Sequence, residues 1–291
     1  MLRKIICLLI TFVVSSVAGS VFAEQKQFVE FASYRKNIDV SKVRLNDDVW
    51  KTVSPYKQPL VRQFLIAPMP ADVGVKEVFV RSINDGKHIA FMLVWKDATR
   101  DDSTKLMNFS DGAAVQFPVK KEPLPEFFMG EPNKPVHIIH WKAWRSRDRK
   151  DGFQNVKTAY PNMAVDMYNF DYSVKGKGVD KTQAQKDIFI PGKAAGNPLS
   201  VPHREIIEEL SAEGAGTLTS KKIENTSGEA EWKNGEWTVV FIRPLNVSDK
   251  KSAQFKTGEK MPVAFAVWEG SRMESAGRKA VSPSWAEVEI K

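Results

Sequence analysis

Histidine is the side chain most often used for catalysis and metal binding near neutral pH. The chain has four: His88, His137, His140 and His203. His137 and His140 are three positions apart in a strand-like segment, so they point to opposite faces and make a poor metal pair. The sequence also has no Gly-x-Ser-x-Gly nucleophile elbow. The histidines therefore do not favour hydrolysis or a shared metal site.

The one cysteine of the chain, Cys7, lies in the leading segment 1–23. If that segment is removed, the remainder, 24–291, contains no thiol. This excludes disulfides, zinc bound by cysteine, Fe–S clusters held by this chain and thiol catalysis. It also excludes haem attached through a Cys-x-x-Cys-His motif.

Two regions carry more aromatic and reactive side chains than packing requires. The first contains Phe127-Phe128-Met129-Gly130, where a loop could line an apolar pocket and present a soft sulfur ligand. The second, 262–282, places Lys279 between a buried strand and the last strand, where it could reach inward. The ordinary alternatives are a methionine that fills the core and a lysine on a solvated turn, and composition alone favours them.

Short strand-like runs separated by turn residues must position these side chains. Asn84-Asp85-Gly86 and Asn234-Gly235 are predicted to be hairpin tips. This pattern predicts a mainly β protein, an antiparallel β-sandwich with long loops and one or two short helices. The predicted strands cover 77–83, 89–96, 113–119, 136–141, 236–242, 263–268 and 285–290.

One short helix is predicted over 204–212, where Ile206, Ile207 and Leu210 repeat at helical spacing after Pro202. The segment 146–235 is polar, rich in Gly and Lys, and weakly periodic. Because it is long for a loop, it is expected to decorate the sandwich or to line a site.

The segment 1–23 has the features of an export signal. Arg3 and Lys4 precede an apolar run over 5–14, and small residues follow with Val21 and Ala23 at positions −3 and −1. We predict a cleaved signal peptide over 1–23 and a single domain over 24–291, located in the periplasm without a membrane span. Cleavage lowers the formal net charge from +8 to +6, a modest excess that does not favour nucleic acid.

From 111 onward the chain resembles the γ subunits of the type II dimethyl-sulfoxide-reductase family. Members include ethylbenzene dehydrogenase, dimethylsulfide dehydrogenase, selenate reductase, chlorate reductase and the related nitrite oxidoreductase. The matching stretches are ordered along 111–282, and several are unusual. They include 111–118, 127–130, 141–143, 196–200, 212–214, 216–219, 237–241, 243–245 and 262–282.

The resemblance implies one non-covalent b-type haem held by a methionine and a lysine, which fall here on Met129 and Lys279. Thioether and neutral amine ligands give a six-coordinate iron suited to electron transfer rather than catalysis. The residues leave other ligands open, namely Met107, Met163, Met167, Met261 or His140 for the methionine and Lys260 for the lysine.

The resemblance also implies haem-wall residues and partners. Phe128, Trp141, Trp144 and Trp268 are the expected wall, and Arg278, Lys142 and Arg243 the expected partners of the propionates. The expected complex has a molybdopterin α subunit, an Fe–S β subunit and a soluble cytochrome c or similar carrier. The alternative is a haem-free extracytoplasmic module that binds carbohydrate or another ligand, with exposed aromatic platforms.

Overall fold

The computed structural model describes residues 33–154, 156–162, 192, 195, 197, 205–223 and 225–291. These residues form two β-sheets packed face to face, which confirms the predicted mainly β sandwich. Two helices, α1 Ala143–Asp151 and α2 Val156–Ala159, and several short three-ten turns accompany the sheets. The strands of this described part are β1 Ser33–Tyr34, β2 Tyr56–Pro59, β3 Val61–Arg62, β4 Glu77–Asn84, β5 His88–Lys96, β6 Gly112–Pro118, β7 Val136–Lys142, β8 Ile207–Ala212, β9 Thr219–Ser220, β10 Ser227–Trp232, β11 Glu236–Pro244, β12 Lys260–Trp268, β13 Ala280–Val281 and β14 Ala286–Glu289.

The first sheet has the order β1-β4-β5-β11-β10, with β2 also paired to β4. All of its pairs are antiparallel except β1 with β4. The two predicted hairpin tips are confirmed. Asp85 N donates to His88 O (3.2 Å) between β4 and β5, and Asn234 and Gly235 adopt left-handed φ values of 53° and 74° between β10 and β11.

The second sheet has the order β3-β13-β12-β6-β7-β8-β9, with β14 also paired to β12, and all of its pairs are antiparallel. Its central strand β6 is buried on both faces. Side chains alternate along a strand, so Ala113, Val115 and Phe117 join the core between the sheets. The residues between them, Ala114 and Gln116, face the other way. This second face carries the candidate site.

The core between the sheets is dominated by aromatic side chains. Trp141 of β7 lies 4.7 Å from Trp237 and 6.1 Å from Trp95, measured between ring centroids. All three indoles are almost completely buried. They join the two sheets rigidly and keep the outward face of β6 and β7 in a fixed position.

The seven predicted strands are all present, and their ends differ only slightly, as for 263–268 against Lys260–Trp268. The predicted helix over 204–212 is wrong. Residues Ile207–Ala212 form β8, which pairs with β7, and Arg204 lies outside the described residues. Both faces of β8 are buried, so its apolar residues lose the alternation that marks a strand and resemble a short helix.

Part of the segment 146–235 belongs to the sheets, since it supplies β8, β9 and β10. The segment also begins inside α1, a helix that the sequence did not predict. In α1 the buried Asp148 accepts hydrogen bonds from the backbone and side chain of Gln154. No helix among the described residues is long and apolar enough to cross a membrane.

Candidate functional site

A cavity of about 900 Å³ opens on the outward face of the second sheet. Its floor is made of small residues on two adjacent strands, Gly112 and Ala114 of β6 with Ala264 and Ala266 of β12, and it continues to Ile138 of β7. These short side chains leave room where larger ones would fill the space. The volume lies within the range of cofactor pockets, about 300–1,000 Å³.

The connection between β6 and β7, residues 119–135, forms one wall of this cavity and is called here the Met129 loop. Gln116 Nε2, on the floor side of β6, donates to Phe127 O at 2.9 Å, and Trp285 Nε1 donates to Pro125 O at 2.8 Å. Gly214 N donates to Met129 O at 2.9 Å, which ties the loop to the end of β8. Three separate elements therefore fix the loop that presents the thioether.

Backbone conformation adds to this constraint. Met129 and Gly130 have φ values of 69° and 76°, in the left-handed region that few residues other than glycine adopt readily. A Cβ on Gly130 would lie 2.7 Å from Lys134 O and 3.1 Å from Ala212 O. Only glycine fits there, so Gly130 lets the chain turn closely against β8 and place Met129 over the cavity.

Lys279 forms the opposite side. It directly precedes β13, and its Nζ lies 5.1 Å from the ring centroid of Trp268. Trp268 Nε1 in turn donates to Ala276 O at 3.1 Å, which holds the connection between β12 and β13 against the indole. Burial lowers the pKa of Lys279 to about 8, and no hydrogen bond or ion pair joins its Nζ to the described residues. Its amine is therefore easily neutralised and available to a ligand.

A charged cluster borders the same cavity on β7 and β8. His140 Nδ1 lies 2.9 Å from Glu208 Oε1, and Lys142 Nζ lies 3.3 Å from the same oxygen. Arg145 donates to Glu208 Oε2. Burial alone would raise the pKa of Glu208. The hydrogen bond from His140 and the positive charges of Lys142 and Arg145 outweigh this effect and hold that pKa well below its usual range. Glu208 is thus a stable anion among three basic side chains.

Several predicted site residues meet at this cavity. They are Met129, Lys279, Phe128, Trp268, Trp144 and Lys142, together with His140 from the alternative ligands. Phe128 is held between Phe127 and Phe64, with a centroid distance of 5.8 Å to the latter. Residues that are far apart in the chain are therefore brought to one place.

Trp141 and Arg243 do not line the cavity. Trp141 is adjacent to His140 in β7, so its side chain points to the opposite face and packs in the core between the sheets. Arg243 is also in the interior, where it lies over Phe117 and Phe255 and contacts His137 Nδ1 at 3.2 Å. These two side chains face away from the cavity and cannot contact a group bound there.

The other predicted propionate partner, Arg278, and most of the alternative ligands do not line the cavity. Arg278 is exposed. Met107 is exposed, Met261 is buried in the core between the sheets, and Lys260 lies near Glu287 at 3.5 Å. His203, Met163 and Met167 lie outside the described residues. Of the alternative ligands that the structure describes, His140 alone lines the cavity.

Sequence reasoning missed Glu208, Gln63 and the small-residue floor. Gln63 Oε1 accepts from Leu65 N and Ile66 N, both at 3.1 Å, and so shapes another part of the cavity wall. Alternation of Gly112, Ala114 and Gln116 with larger residues in β6 was the available signal for the floor. Glu208 gave no usable signal because its segment was predicted as a helix.

Asp97 follows β5 and does not line the cavity, and its burial allows a separate test of the protein's electrostatics. It is buried, its Oδ1 accepts from Thr99 N at 3.1 Å, and its Oδ2 has no hydrogen-bond partner among the described residues. Burial, with the nearby charges of Glu269 and Asp101, raises its pKa from 3.8 to about 6. Because the folded pKa is raised, its charged form destabilises the fold as pH rises from about 4 to 6.

We expect Asp97→Asn to stabilise the protein above pH 6 by on the order of 1 kcal/mol, since the amide keeps the Oδ1 acceptor and removes the charge. The gain should disappear near pH 4. Urea unfolding at pH 4, 5 and 7.5 measures this difference, with Asp72→Asn on an exposed side chain as the control. An equal gain at all three pH values would contradict the assignment.

The fold and cavity define a class of protein, a β-sandwich with an apolar cavity on the outer face of one sheet. The ethylbenzene dehydrogenase family model matches residues 47–280. The chain belongs to this family, among the γ subunits of the type II dimethyl-sulfoxide reductases.

Individual relatives agree with this assignment. The "Putative respiratory nitrate reductase heme subunit ORF7" of Haloferax mediterranei is 25% identical over 236 residues, which cover 81% of this chain and 64% of that protein. Chlorate reductase subunit gamma of Ideonella dechloratans is 24% identical, with 81% of this chain and 75% of that protein covered. Dimethylsulfide dehydrogenase subunit gamma of Rhodovulum sulfidophilum is 22% identical, with 82% and 72% covered. The match thus spans less than two thirds of the first relative.

These relatives are named as heme and gamma subunits, in agreement with the expected non-catalytic subunit.

Among solved structures, a family 9 carbohydrate-binding module from Caldicellulosiruptor kristjanssonii in complex with glucose aligns with a TM-score of 0.37 and 10% identity. The alignment covers 90% of this chain and 94% of the module. A likeness at this level carries no argument for carbohydrate binding.

Proposed function

We propose that this chain is the electron-transfer γ subunit of a molybdoenzyme and binds one non-covalent b-type haem between Met129 and Lys279. The observation that carries the proposal is the apolar cavity shared by a conformationally fixed thioether and a lysine with no ion pair among the described residues. The cavity volume and the soft sulfur and amine donors fit a haem. When bound, haem supplies reversible one-electron chemistry.

The residues of this chain hold and shield the group. Met129 and Lys279 would hold the iron through the thioether sulfur and the amine, and a haem held in this way would transfer electrons without offering a site to a substrate. Phe128, Trp144 and Trp268 exclude water from the ring. Lys142 and the exposed Arg278 are the candidates for the propionates, because ammonium and guanidinium groups pair with carboxylates.

The proposed partners are a molybdopterin α subunit, an Fe–S β subunit and a soluble cytochrome c or similar carrier. The names of the relatives as gamma and heme subunits support this assembly. The apolar run before Ala23 supports export to the periplasm with a cleaved signal peptide over 1–23, which leaves a single domain over 24–291.

The alternative of a haem-free carbohydrate-binding module is less well supported. Such modules stack sugars on exposed aromatic platforms. Here Phe128 and Trp268 line a concave cavity, and Trp141 is buried in the core. The Met129 thioether in the cavity wall also donates no hydrogen bond to a sugar hydroxyl.

A reduced-minus-oxidised visible spectrum of the purified protein tests the proposal. We expect a low-spin b-type signal with one haem per chain. Acid and acetone should release this haem intact, because no cysteine is present in 24–291 to attach the porphyrin covalently. Carbon monoxide should leave the reduced spectrum unchanged if Met129 and Lys279 both bind the iron. A chain that takes up no haem during reconstitution with excess hemin would overturn the proposal.

A further inference from the structure

Asp111 is a completely buried carboxylate directly before β6. Its Oδ2 accepts hydrogen bonds from Asp101 N at 2.7 Å and from Trp237 Nε1 at 2.9 Å. Its Oδ1 accepts from Gly270 N at 2.8 Å. The next residue, Gly112, belongs to the cavity floor. Asp111 therefore binds three separate parts of the chain at one end of the floor strand β6.

Two of the three donors hold segments that line the cavity. Asp101 leads into 103–110, of which five residues line it. Gly270 lies in the connection between β12 and β13, where 274–277 and Lys279 line it. The third donor, Trp237, belongs to β11 of the first sheet. Asp111 thus joins two walls of the cavity to the opposite sheet.

The two walls touch through backbone atoms near Asp111. A Cβ on Gly270 would lie 2.1 Å from Phe109 O and 2.6 Å from Asp101 Cβ. Asp111 N also donates to Asp101 O at 2.8 Å, which closes the base of the segment between them. Because no space separates the walls, they keep their spacing only while Gly270 stays against the 101–111 segment.

Hydrogen bonds continue from Gly270 towards Lys279. Met273 N donates to Gly270 O at 2.9 Å, and Trp268 Nε1 donates to Ala276 O at 3.1 Å. The same indole lies 5.1 Å from Lys279 Nζ, measured to the ring centroid. The connection is thus tied to itself and to the end of β12, so a displacement at Gly270 reaches the Lys279 side chain.

The three bonds require a carboxylate. Backbone and indole N–H groups only donate, and a carboxylate accepts with both oxygens. An asparagine amide with its oxygen in the Oδ2 position would keep two bonds, but its NH2 group would face Gly270 N and leave a buried donor unpaired. Burial, with the charge of Asp97, raises the pKa of Asp111 to about 7, so the carboxyl is ionised above that pH.

We propose that Asp111 is a positioning residue, which holds the 103–110 and 270–279 segments in the arrangement in which Lys279 lines the cavity. This inference rests on the proposed function where haem is the readout. Asp111 does not line the cavity itself, so it acts on a bound group only through these two segments.

The test compares Asp111→Asn with the unmodified protein at pH 8.5. In the cofactor-free variant, amide hydrogen exchange should become faster in 103–110 and 270–279 and stay unchanged in β4 and β5. The variant should bind haem about tenfold more weakly, since one buried hydrogen bond is lost. It should also gain a high-spin component and bind carbon monoxide when reduced. Added methylamine should restore the low-spin spectrum by taking the place of the Lys279 amine.

The control is Asp97→Asn, which removes another buried carboxylate whose Oδ1 accepts from Thr99 N and which bonds to neither wall. It should keep the exchange rates of both segments and the low-spin spectrum. Equal changes in the two variants would overturn the inference. So would an Asp111→Asn variant with unchanged exchange in both segments, or with a low-spin spectrum that carbon monoxide leaves unchanged.

If Asp111→Asn does not fold, Gly270→Ala decides the question. Its Cβ forces residue 270 away from Phe109 O while the carboxylate stays in place. The same exchange and spectral changes are expected, and their absence would overturn the inference. Failure of the proposed function is distinct, because the unmodified chain would then contain no haem while the exchange comparison would still apply.

Discussion

If the proposed haem site is correct, replacing Lys279 by alanine is expected to convert the haem from a low-spin form to a five-coordinate, high-spin form that binds carbon monoxide. The other lysines considered are already paired: Lys142 lines the cavity but its Nζ lies 3.3 Å from Glu208 Oε1, and Lys260 Nζ lies 3.5 Å from Glu287 Oε2 outside the cavity. The variant should also change the pH dependence of binding. Burial lowers the pKa of Lys279 to about 8, so below that pH a proton competes with iron for the amine.

The affinity of the unmodified protein for ferric haem should therefore fall by up to about tenfold for each pH unit below 8. In Lys279→Ala this slope should be absent. Haem titrations between pH 6 and 9 measure both effects, with Lys260→Ala as a matched control that should retain the low-spin spectrum and the slope. A low-spin spectrum in Lys279→Ala would show that another residue is the ligand.

Gly130→Ala is expected to have the second largest effect, through the backbone. The added Cβ would lie 2.7 Å from Lys134 O, and the residue has a φ of 76° that alanine adopts poorly. We expect a loss of unfolding free energy on the order of 3 kcal/mol, because strain and the clash act together. The loop must shift away from β8, so in the proposed haem-bound protein the Met129 thioether should no longer bind the iron and the charge-transfer band of thioether ligation should disappear.

Gly258→Ala separates the two causes. Gly258 has a similar φ of 83°, but nothing lies within 4 Å of the added Cβ. It should lose about 1 kcal/mol from backbone conformation alone and keep the thioether band. Urea unfolding of the cofactor-free proteins and near-infrared spectra of the loaded ones give the comparison. Equal losses in the two variants would show that contact with Lys134 O is unimportant.

The two-sheet fold was predictable because most strands are bounded by clear turn residues. Asn84-Asp85-Gly86 and Asn234-Gly235 form the turns that their side chains favour. β8 was predicted as a helix because its pairing with β7 buries both faces, and burial by a distant strand cannot be read from local spacing. The helix α1 was missed since its mostly charged residues lack an apolar stripe.

The cavity was predictable only in part. The resemblance identified Met129 and Lys279, whereas the residues alone favoured ordinary roles for both. Strand alternation could have removed Trp141, since His140 and Trp141 are neighbours and only one of them can face the cavity. The interior position of Arg243 depends on contacts with His137, which is 106 positions away in the sequence, and with Phe255, which lies beyond the end of its own strand. Its charge therefore suggested a surface role that the packing does not allow.

The small residues of the cavity floor have an evolutionary consequence. The space exists because Gly112, Ala114, Ala264 and Ala266 lack bulk, not because the sheets are distorted. These side chains contribute little to the core between the sheets, which Trp95, Phe117 and their neighbours fill from the other face. Two or three substitutions by leucine or phenylalanine would close the cavity and leave the sandwich intact. The proposed prosthetic group can thus be lost in few steps while the packing between the sheets is kept.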